Sequence, residues 1–206
     1  MGIPVMILGA SGSGKSASLR NFEADEVGIF NVAGKPLPFR KKLLKADNAT
    51  YNTIYAAWKK ITKKTYVIDD SQYLMAFEAF DRAKETGYGK FTDLALNFRN
   101  LIAYVINQLP PDVIVYFLHH TEVADDGKLK AKTLGKMLDN QLTVEGLFSI
   151  VLLCQVEGQD HVFVTNSDGS NPAKSPMEMF PPKIENDLKM VDQTIREYYE
   201  LGGNKK

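Results

Sequence analysis

Short apolar runs alternate with amphipathic segments along most of the chain, and this alternation predicts an α/β fold. The runs at 3–8, 27–32, 65–70 and 113–118 are almost continuously apolar until they end, so we expect them to form a parallel sheet that is buried on both faces. Apolar residues at helical spacing occupy 51–61, 71–84 and 91–108. A segment at 17–22 after the first run is also compatible with a helix. The pattern predicts a three-layer α/β domain.

The last part of the chain follows a different pattern. Strands at 149–156 and 161–165 are separated by Glu157-Gly158-Gln159-Asp160, which predicts a tight turn and an antiparallel edge to the sheet. Four prolines between residues 172 and 182 indicate an extended segment, and a closing helix is predicted near 187–199. No boundary is evident, so we interpret 1–206 as a single domain with the extended segment and closing helix at about 167–200.

Composition narrows the classes of partner. The chain has 206 residues with 25 basic and 25 acidic side chains. Because these charges balance, the protein has no net positive charge that would attract nucleic acid or membranes. Any contact with nucleic acid must come from a local patch. The single Cys154 excludes an internal disulfide, and its apolar surroundings predict a packed thiol. Without a leader-like start or an apolar stretch of about 20 residues, a cytoplasmic protein is expected.

A glycine-rich sequence follows the first apolar run. Residues 9–16 read GASGSGKS and fit the phosphate-binding pattern G-x-x-x-x-G-K-[ST] at every fixed position. In such a loop backbone N–H groups surround phosphate oxygens, Lys15 reaches the β- and γ-phosphates, and the Ser16 hydroxyl ligates Mg²⁺. Lys15 is therefore also a catalytic candidate. The predicted nucleotide contacts are Gly9, Ala10, Ser11, Gly12, Ser13, Gly14, Lys15, Ser16 and Ala17.

Two carboxylates, Asp69 and Asp70, end the third predicted strand. Since parallel strands end at the same edge, Asp69 is expected to share the Mg²⁺ with Ser16. Asp70 is the candidate that orients or deprotonates the attacking water. The alternative is that this pair starts the next helix as an N-cap.

His119 and His120 end the fourth predicted strand, and Glu122 follows them. One histidine is expected to sense the γ-phosphate, and Glu122 is a weaker candidate for polarising water. The alternative is a structural role for both rings. Metal binding by the histidines is not expected, because no third ligand lies at suitable spacing.

Four lysines are spaced along a polar segment at 128–136, which we expect to be a loop beside the nucleotide. As a nucleic-acid contact it would bind phosphates, as a lysine finger it would reach a neighbouring subunit, and otherwise it is a solvated loop. These candidates are Lys128, Lys130, Lys132 and Lys136.

The nucleotide is expected to be ATP. Guanine-specific enzymes need an N-K-x-D segment, which is missing from the sequence, and the five arginines are too scattered for the lid of a small-molecule kinase. These features favour an ATPase that uses hydrolysis to drive a conformational or assembly change.

The combined pattern resembles the small P-loop ATPases of tailed phages, which have a RecA-like core and of which some act in single-strand annealing and homologous recombination. The resemblance rests on the phosphate loop, Asp69-Asp70, the HHTE sequence at 119–122, and the segments at 132–148, 175–180 and 186–188.

This resemblance implies a RecA-like, Mg²⁺-dependent ATPase that binds single-stranded DNA alongside a phage single-strand-binding protein and forms rings or filaments in the cytoplasm of a bacterial host. A homo-oligomer is one expectation, although the residue that would act on a neighbouring subunit stays open. The alternative function is a nucleotide-gated interaction module that hydrolyses little ATP and recruits replication or recombination proteins.

Overall fold

The computed structural model describes residues 1–87, 89–134 and 142–202. The strands in this part of the chain are β1 (Ile3–Gly9), β2 (Val27–Asn31), β3 (Lys45–Asp47), β4 (Thr65–Asp69), β5 (Ile114–Val123), β6 (Leu129–Ala131), β7 (Ile150–Glu157), β8 (Asp160–Val164) and β9 (Lys183–Glu185). The helices are α1 (Tyr51–Trp58), α2 (Gln72–Asp81), α3 (Gly89–Gln108) and α4 (Leu188–Tyr198), with short 3₁₀ helices at Ser16–Asn21 and Val144–Leu147.

These strands form one sheet in the order β3-β2-β4-β5-β1-β7-β8-β9, with β6 paired to the far end of β5. Pairing is parallel from β3 to β7 and antiparallel between β5 and β6, β7 and β8, and β8 and β9. The α/β class and the mostly parallel sheet with an antiparallel edge are thus confirmed. Across the described ranges, every helix is too short or too polar to cross a membrane.

Side chains of the central strand β1 point alternately into two hydrophobic cores, one on each face of the sheet. Met6 belongs to the core that contains Trp58 of α1, whereas the adjacent Val5 belongs to the opposite core with Leu19 of the first 3₁₀ helix and Val191 of α4. Successive side chains of a strand point to opposite faces, so one apolar run serves both cores. The sheet is therefore covered on both faces.

Several predicted elements have different bounds. The segment after the phosphate loop forms only the six-residue 3₁₀ helix Ser16–Asn21, and α1 ends at Trp58 instead of reaching Ile61. Ile61 has a φ of 39°, a left-handed conformation that cannot continue a right-handed helix. The strands β3 and β9 were not predicted, because each has three residues of which two are charged.

The fourth strand was expected to end at residues 118–120, and this expectation was wrong. β5 continues to Val123, and its last three residues pair with β6 in an antiparallel hairpin. Beyond the pairing of Gly9 with His120, β5 leaves the side of β1 and becomes partly exposed, so polar residues are tolerated there. The lysine segment is therefore partly a strand.

Candidate nucleotide-binding site

The phosphate loop borders a cavity of about 380 Å³ at the carboxyl ends of the central strands. Its lining comes from five regions that are distant in sequence: the loop, the segment after β2, the end of β4, the middle of β5, and β8. The lining residues are Ser11, Gly12, Gly14, Lys15, Ser16, Ala17, Lys35, Pro36, Pro38, Asp69, Asp70, His120 and His161.

Two glycines are required by the shape of this loop. At Gly9, an added Cβ would lie 2.4 Å from Ser13 Oγ and 2.7 Å from the carbonyl oxygen of Cys154. Gly14 has a φ of 102°, and a Cβ there would lie 2.7 Å from Nδ1 of His161. The loop can therefore pack closely against β7 and β8 only with glycine at these positions.

The ammonium group of Lys15 lies inside the loop. Its Nζ donates hydrogen bonds to the carbonyl oxygens of Gly9 (2.8 Å) and Ala10 (2.9 Å), and the residue is 6% exposed. Burial lowers the pKa of the Lys15 ammonium, while the nearby carboxylate of Asp70 opposes that change. A buried cation whose hydrogen bonds go to neutral carbonyl groups can be stabilised further by an anion.

Ser16 and Asp69 meet across the sheet, although β5 separates their strands. The Ser16 hydroxyl donates to Oδ1 of Asp69 over 2.8 Å. Burial raises the pKa of the Asp69 carboxyl to about 6, against the lowering effect of the Ser16 hydrogen bond. A hydroxyl and a carboxylate in contact beside a phosphate loop fit the protein ligands of Mg²⁺.

No group of three or more His, Cys, Asp or Glu side chains in the described ranges could hold a metal ion. Mg²⁺ commonly takes one or two protein ligands and completes its shell with water and substrate phosphates. Ser16 and Asp69 fit that mode of binding, in which the ion arrives with a nucleotide.

Asp70 is held in the cavity by two nitrogen donors. Its carboxylate accepts hydrogen bonds from Lys35 Nζ (2.9 Å) and His120 Nε2 (3.1 Å). Burial by itself would raise the pKa of Asp70, but the bonds from His120 and Lys35 bring it down to about 2. The residue has a φ of 60°, which aspartate tolerates better than most residues. Both side chains of the Asp69-Asp70 pair thus make contacts at the cavity instead of capping α2.

The two adjacent histidines have different surroundings. His120 lines the cavity, whereas His119 is fully buried and does not. The ring of His119 pairs with the Ser71 hydroxyl (2.9 Å) and donates from Nε2 to the carbonyl oxygen of Lys132 (2.8 Å). Burial lowers the pKa of His119 to about 4. His119 therefore has a structural role, and His120 is the histidine that the structure brings to the cavity.

Glu122 and three of the candidate nucleic-acid lysines, Lys128, Lys130 and Lys132, lie away from the cavity lining. Glu122 pairs with Lys130 (3.1 Å) across the β5–β6 hairpin, and Lys128 pairs with Asp126 (3.3 Å) on its turn. The main-chain N–H of Lys132 donates to the carbonyl oxygen of His120. Lys136 lies outside the described residues. The hairpin is thus joined to the site through its backbone at residue 132.

Lys35 and His161 are lining residues that the sequence reasoning missed. Lys35 follows β2 at the same sheet edge as Asp70, and that position was the available signal. His161 lies on β8 and pairs through Nδ1 with the carbonyl oxygen of Ser13 over 2.7 Å. No sequence pattern indicated that His161 would reach the cavity, because its place there depends on how the antiparallel edge of the sheet folds toward the loop.

A cysteine and an asparagine support the loop from behind. The Cys154 thiol donates to the carbonyl oxygen of Ser13 (3.0 Å) and accepts from Asn186 Nδ2 (3.2 Å). Burial raises the pKa of Cys154 to about 11, so the thiol stays protonated near neutral pH. The expectation of a packed thiol is confirmed.

Comparison with known proteins adds no family: no protein-family model and no curated protein matches the chain.

Proposed function

We propose that this protein binds and hydrolyses Mg²⁺-ATP and acts on single-stranded DNA in phage recombination, annealing or replication. The observation that carries the nucleotide part is the meeting of Lys15, Ser16 and Asp69 beside one cavity. A glycine-rich loop, a lysine and a hydroxyl-carboxylate pair are the groups that bind a triphosphate and its Mg²⁺. The same groups stabilise the charge that develops during phosphoryl transfer.

Asp70 and His120 supply the groups nearest to a reacting water. Asp70 lies next to the proposed Mg²⁺ ligand, and His120 donates to it. A carboxylate in this position can orient water by accepting one of its hydrogens. Lys35 adds a cation that can leave Asp70 for a phosphate oxygen, since its side chain is 60% exposed.

Hydrolysis of Mg²⁺-ATP with and without single-stranded DNA tests this proposal. The Lys15→Ala variant removes the ammonium from the loop and should abolish turnover. Loss of turnover in this variant would also show that the activity does not come from a contaminating ATPase. Lys41→Ala is the matched control, because Lys41 pairs with Glu23 on the surface and does not line the cavity. Wild-type turnover in Lys15→Ala would refute the assigned site.

The alternative, a nucleotide-gated interaction module, is favoured by one observation at the same site. A carboxylate with a pKa of about 2 that already pairs with Lys35 and His120 is a weak general base. ATP would then be bound but cleaved slowly, and the bound state would recruit a replication or recombination protein. In that case ATP tightens partner binding while purified protein with DNA shows no appreciable turnover.

The DNA part of the proposal rests on the family resemblance and has its own test. Replacing Lys128, Lys130, Lys132 and Lys136 by Ala should weaken single-strand binding and reduce the slope of log affinity against log salt by up to about three, at about 0.7 for each phosphate contact. Replacing exposed Lys59 and Lys60 by Ala controls for general charge. An unchanged salt slope would eliminate this segment as the contact.

A further inference from the structure

A second cleft, of about 840 Å³, opens beside the phosphate loop. It lies between the first 3₁₀ helix and the β8–β9 pair, and it shares two lining residues, Ala17 and His161, with the loop cavity. The two spaces are therefore adjacent. The other lining residues of this cleft are Arg20, Gln159, Asp160, Val162, Lys183, Ile184, Glu185 and Asn186.

The strand pairing explains why this space exists. β9 ends at Glu185, which pairs with Val162, while β8 continues past that pair to Asp160. The chain then turns at Asn186 toward α4, so β8 has no neighbour on this side beyond Val162. Arg20 reaches across the gap and donates to the carbonyl oxygens of Asn186 and Ala17.

The direction of a bound triphosphate follows from the proposed Mg²⁺ ligands. Because Ser16 and Asp69 would hold Mg²⁺ at the terminal phosphates, the γ end would lie toward Asp69 and Asp70, which end and follow β4. The α-phosphate and the nucleoside must then leave from the opposite side of the loop. On that side of β1 lie β7 and β8, and the cleft opens there beside Ala17.

We infer that this cleft holds the nucleoside of the bound nucleotide, with the base against Arg20 and its amino group at Asp160. The inference rests on the proposed nucleotide-binding function and adds the residues that select the base. It assigns a role to a cleft that the phosphate chemistry leaves unused.

Arg20 and Asp160 have chemistry that suits this role. The planar guanidinium of Arg20 is held by carbonyl groups and forms no ion pair with a described carboxylate, so its face is available to stack on a base. The exposed carboxylate of Asp160 can accept a hydrogen bond from the amino group of adenine. Nδ1 of His161 pairs with the carbonyl oxygen of Ser13, so Nε2 is the ring nitrogen left for a ribose hydroxyl.

Calorimetric titration with Mg²⁺ and three probes tests the inference. The probes are the imido analogue of ATP, the inosine triphosphate in which an oxygen replaces the amino group of adenine, and inorganic tripolyphosphate, which has no nucleoside. Arg20→Gln should weaken binding of the ATP analogue about tenfold and change the affinity for tripolyphosphate by less than about twofold, because Arg20 faces the base and not the phosphates. Asp160→Asn should remove the preference for the ATP analogue over inosine triphosphate.

The matched controls are Arg40→Gln and Asp126→Asn, two exposed residues that line neither space. The Asp160→Asn variant is expected to fold normally, since the Asp160 side chain makes no other contact in the described part of the chain. Wild-type affinity for the ATP analogue in both cleft variants would overturn the inference. If Lys15→Ala nevertheless binds tripolyphosphate much more weakly than the wild type, the proposed phosphate-binding site is retained and only the assignment of the base is refuted. Failure of the wild-type protein to bind the ATP analogue would overturn both proposals.

Discussion

At the scale of single residues, His119 and His120 show how a strand directs adjacent side chains to opposite faces of the sheet. Tyr116 and Leu118 belong to the core that contains the first 3₁₀ helix, whereas Phe117 belongs to the opposite core. Two-residue alternation therefore places His120 on the side of the phosphate loop and His119 on the same face as Phe117, where its ring contacts Phe98. Position in the strand, not residue type, decides which ring can reach a ligand.

The burial of His119 predicts a loss of stability in acid. The unfolded chain has the ordinary histidine pKa of 6.5, while the folded protein holds that pKa at about 4. Below pH 6.5 the unfolded state binds more protons, so the contribution of His119 is fully present above pH 6.5 and declines as the pH falls toward 4. The loss should amount to about 3 kcal/mol.

Urea unfolding of wild type and His119→Gln at pH 7, 5.5 and 4.5 measures this effect. The variant should be less stable at pH 7 but depend less on pH, because glutamine does not titrate. Equal pH dependence in the two proteins would show that His119 is not the origin of the acid sensitivity.

At the scale of elements, the start of α4 links the closing helix to the phosphate loop. Asp187 accepts from the N–H groups of Lys189 and Met190 as an N-cap and also from Asn21 Nδ2 (2.7 Å) at the end of the first 3₁₀ helix. The preceding Asn186 contacts Arg20 and Cys154. One cap therefore positions two elements near the candidate site.

Asp187→Ala should lower the free energy of unfolding by about 1 kcal/mol or somewhat more, since it removes a cap and a side-chain contact. Thr50→Ala is the comparison, because the Thr50 hydroxyl accepts from one backbone N–H, that of Thr53 over 3.3 Å, and its side-chain contact with the Thr53 hydroxyl stays within the same turn. Chemical denaturation of both variants measures the difference. A smaller loss for Asp187→Ala than for Thr50→Ala would contradict the double role.

At the scale of the whole molecule, the candidate site depends on complete folding. Its lining combines the loop after β1 with residues from after β2 and from β4, β5 and β8. A ligand that needs all these regions binds the native state alone and stabilises it by mass action. The far end of the sheet is fixed to α4 by Asp192, which accepts from Thr65 and Tyr116 and pairs with Arg196.

The imido analogue of ATP with Mg²⁺, at about 100 times its dissociation constant, should raise the free energy of unfolding by about 2.7 kcal/mol. Lys15→Ala should remove this gain at the same concentration. Thermal and chemical unfolding with and without the ligand measure it. An equal gain in Lys15→Ala would place the ligand at another site.

The sequence predicted what depends on neighbouring residues and missed what depends on distant ones. The glycine-rich loop, the buried strands and Asp69 each have a local pattern, so the central sheet and the meeting of Ser16 with Asp69 could be predicted. Lys35 reaches the site because of where β2 ends, and His161 because of where β8 begins. Short charged strands such as β3 lack the apolar run that identifies a strand, since their pairing supplies the stability.

The place of β1 between β5 and β7 also has a consequence for synthesis on the ribosome. Both neighbours of β1 are translated more than 100 residues after it, and the histidine that contacts the phosphate loop comes later still. At about 5–20 residues per second, the earliest apolar strand waits several seconds for a partner. Until β5 and β7 have been translated, the nascent chain exposes an apolar strand without its neighbours, and binding competence should arise only once β8 has left the exit tunnel.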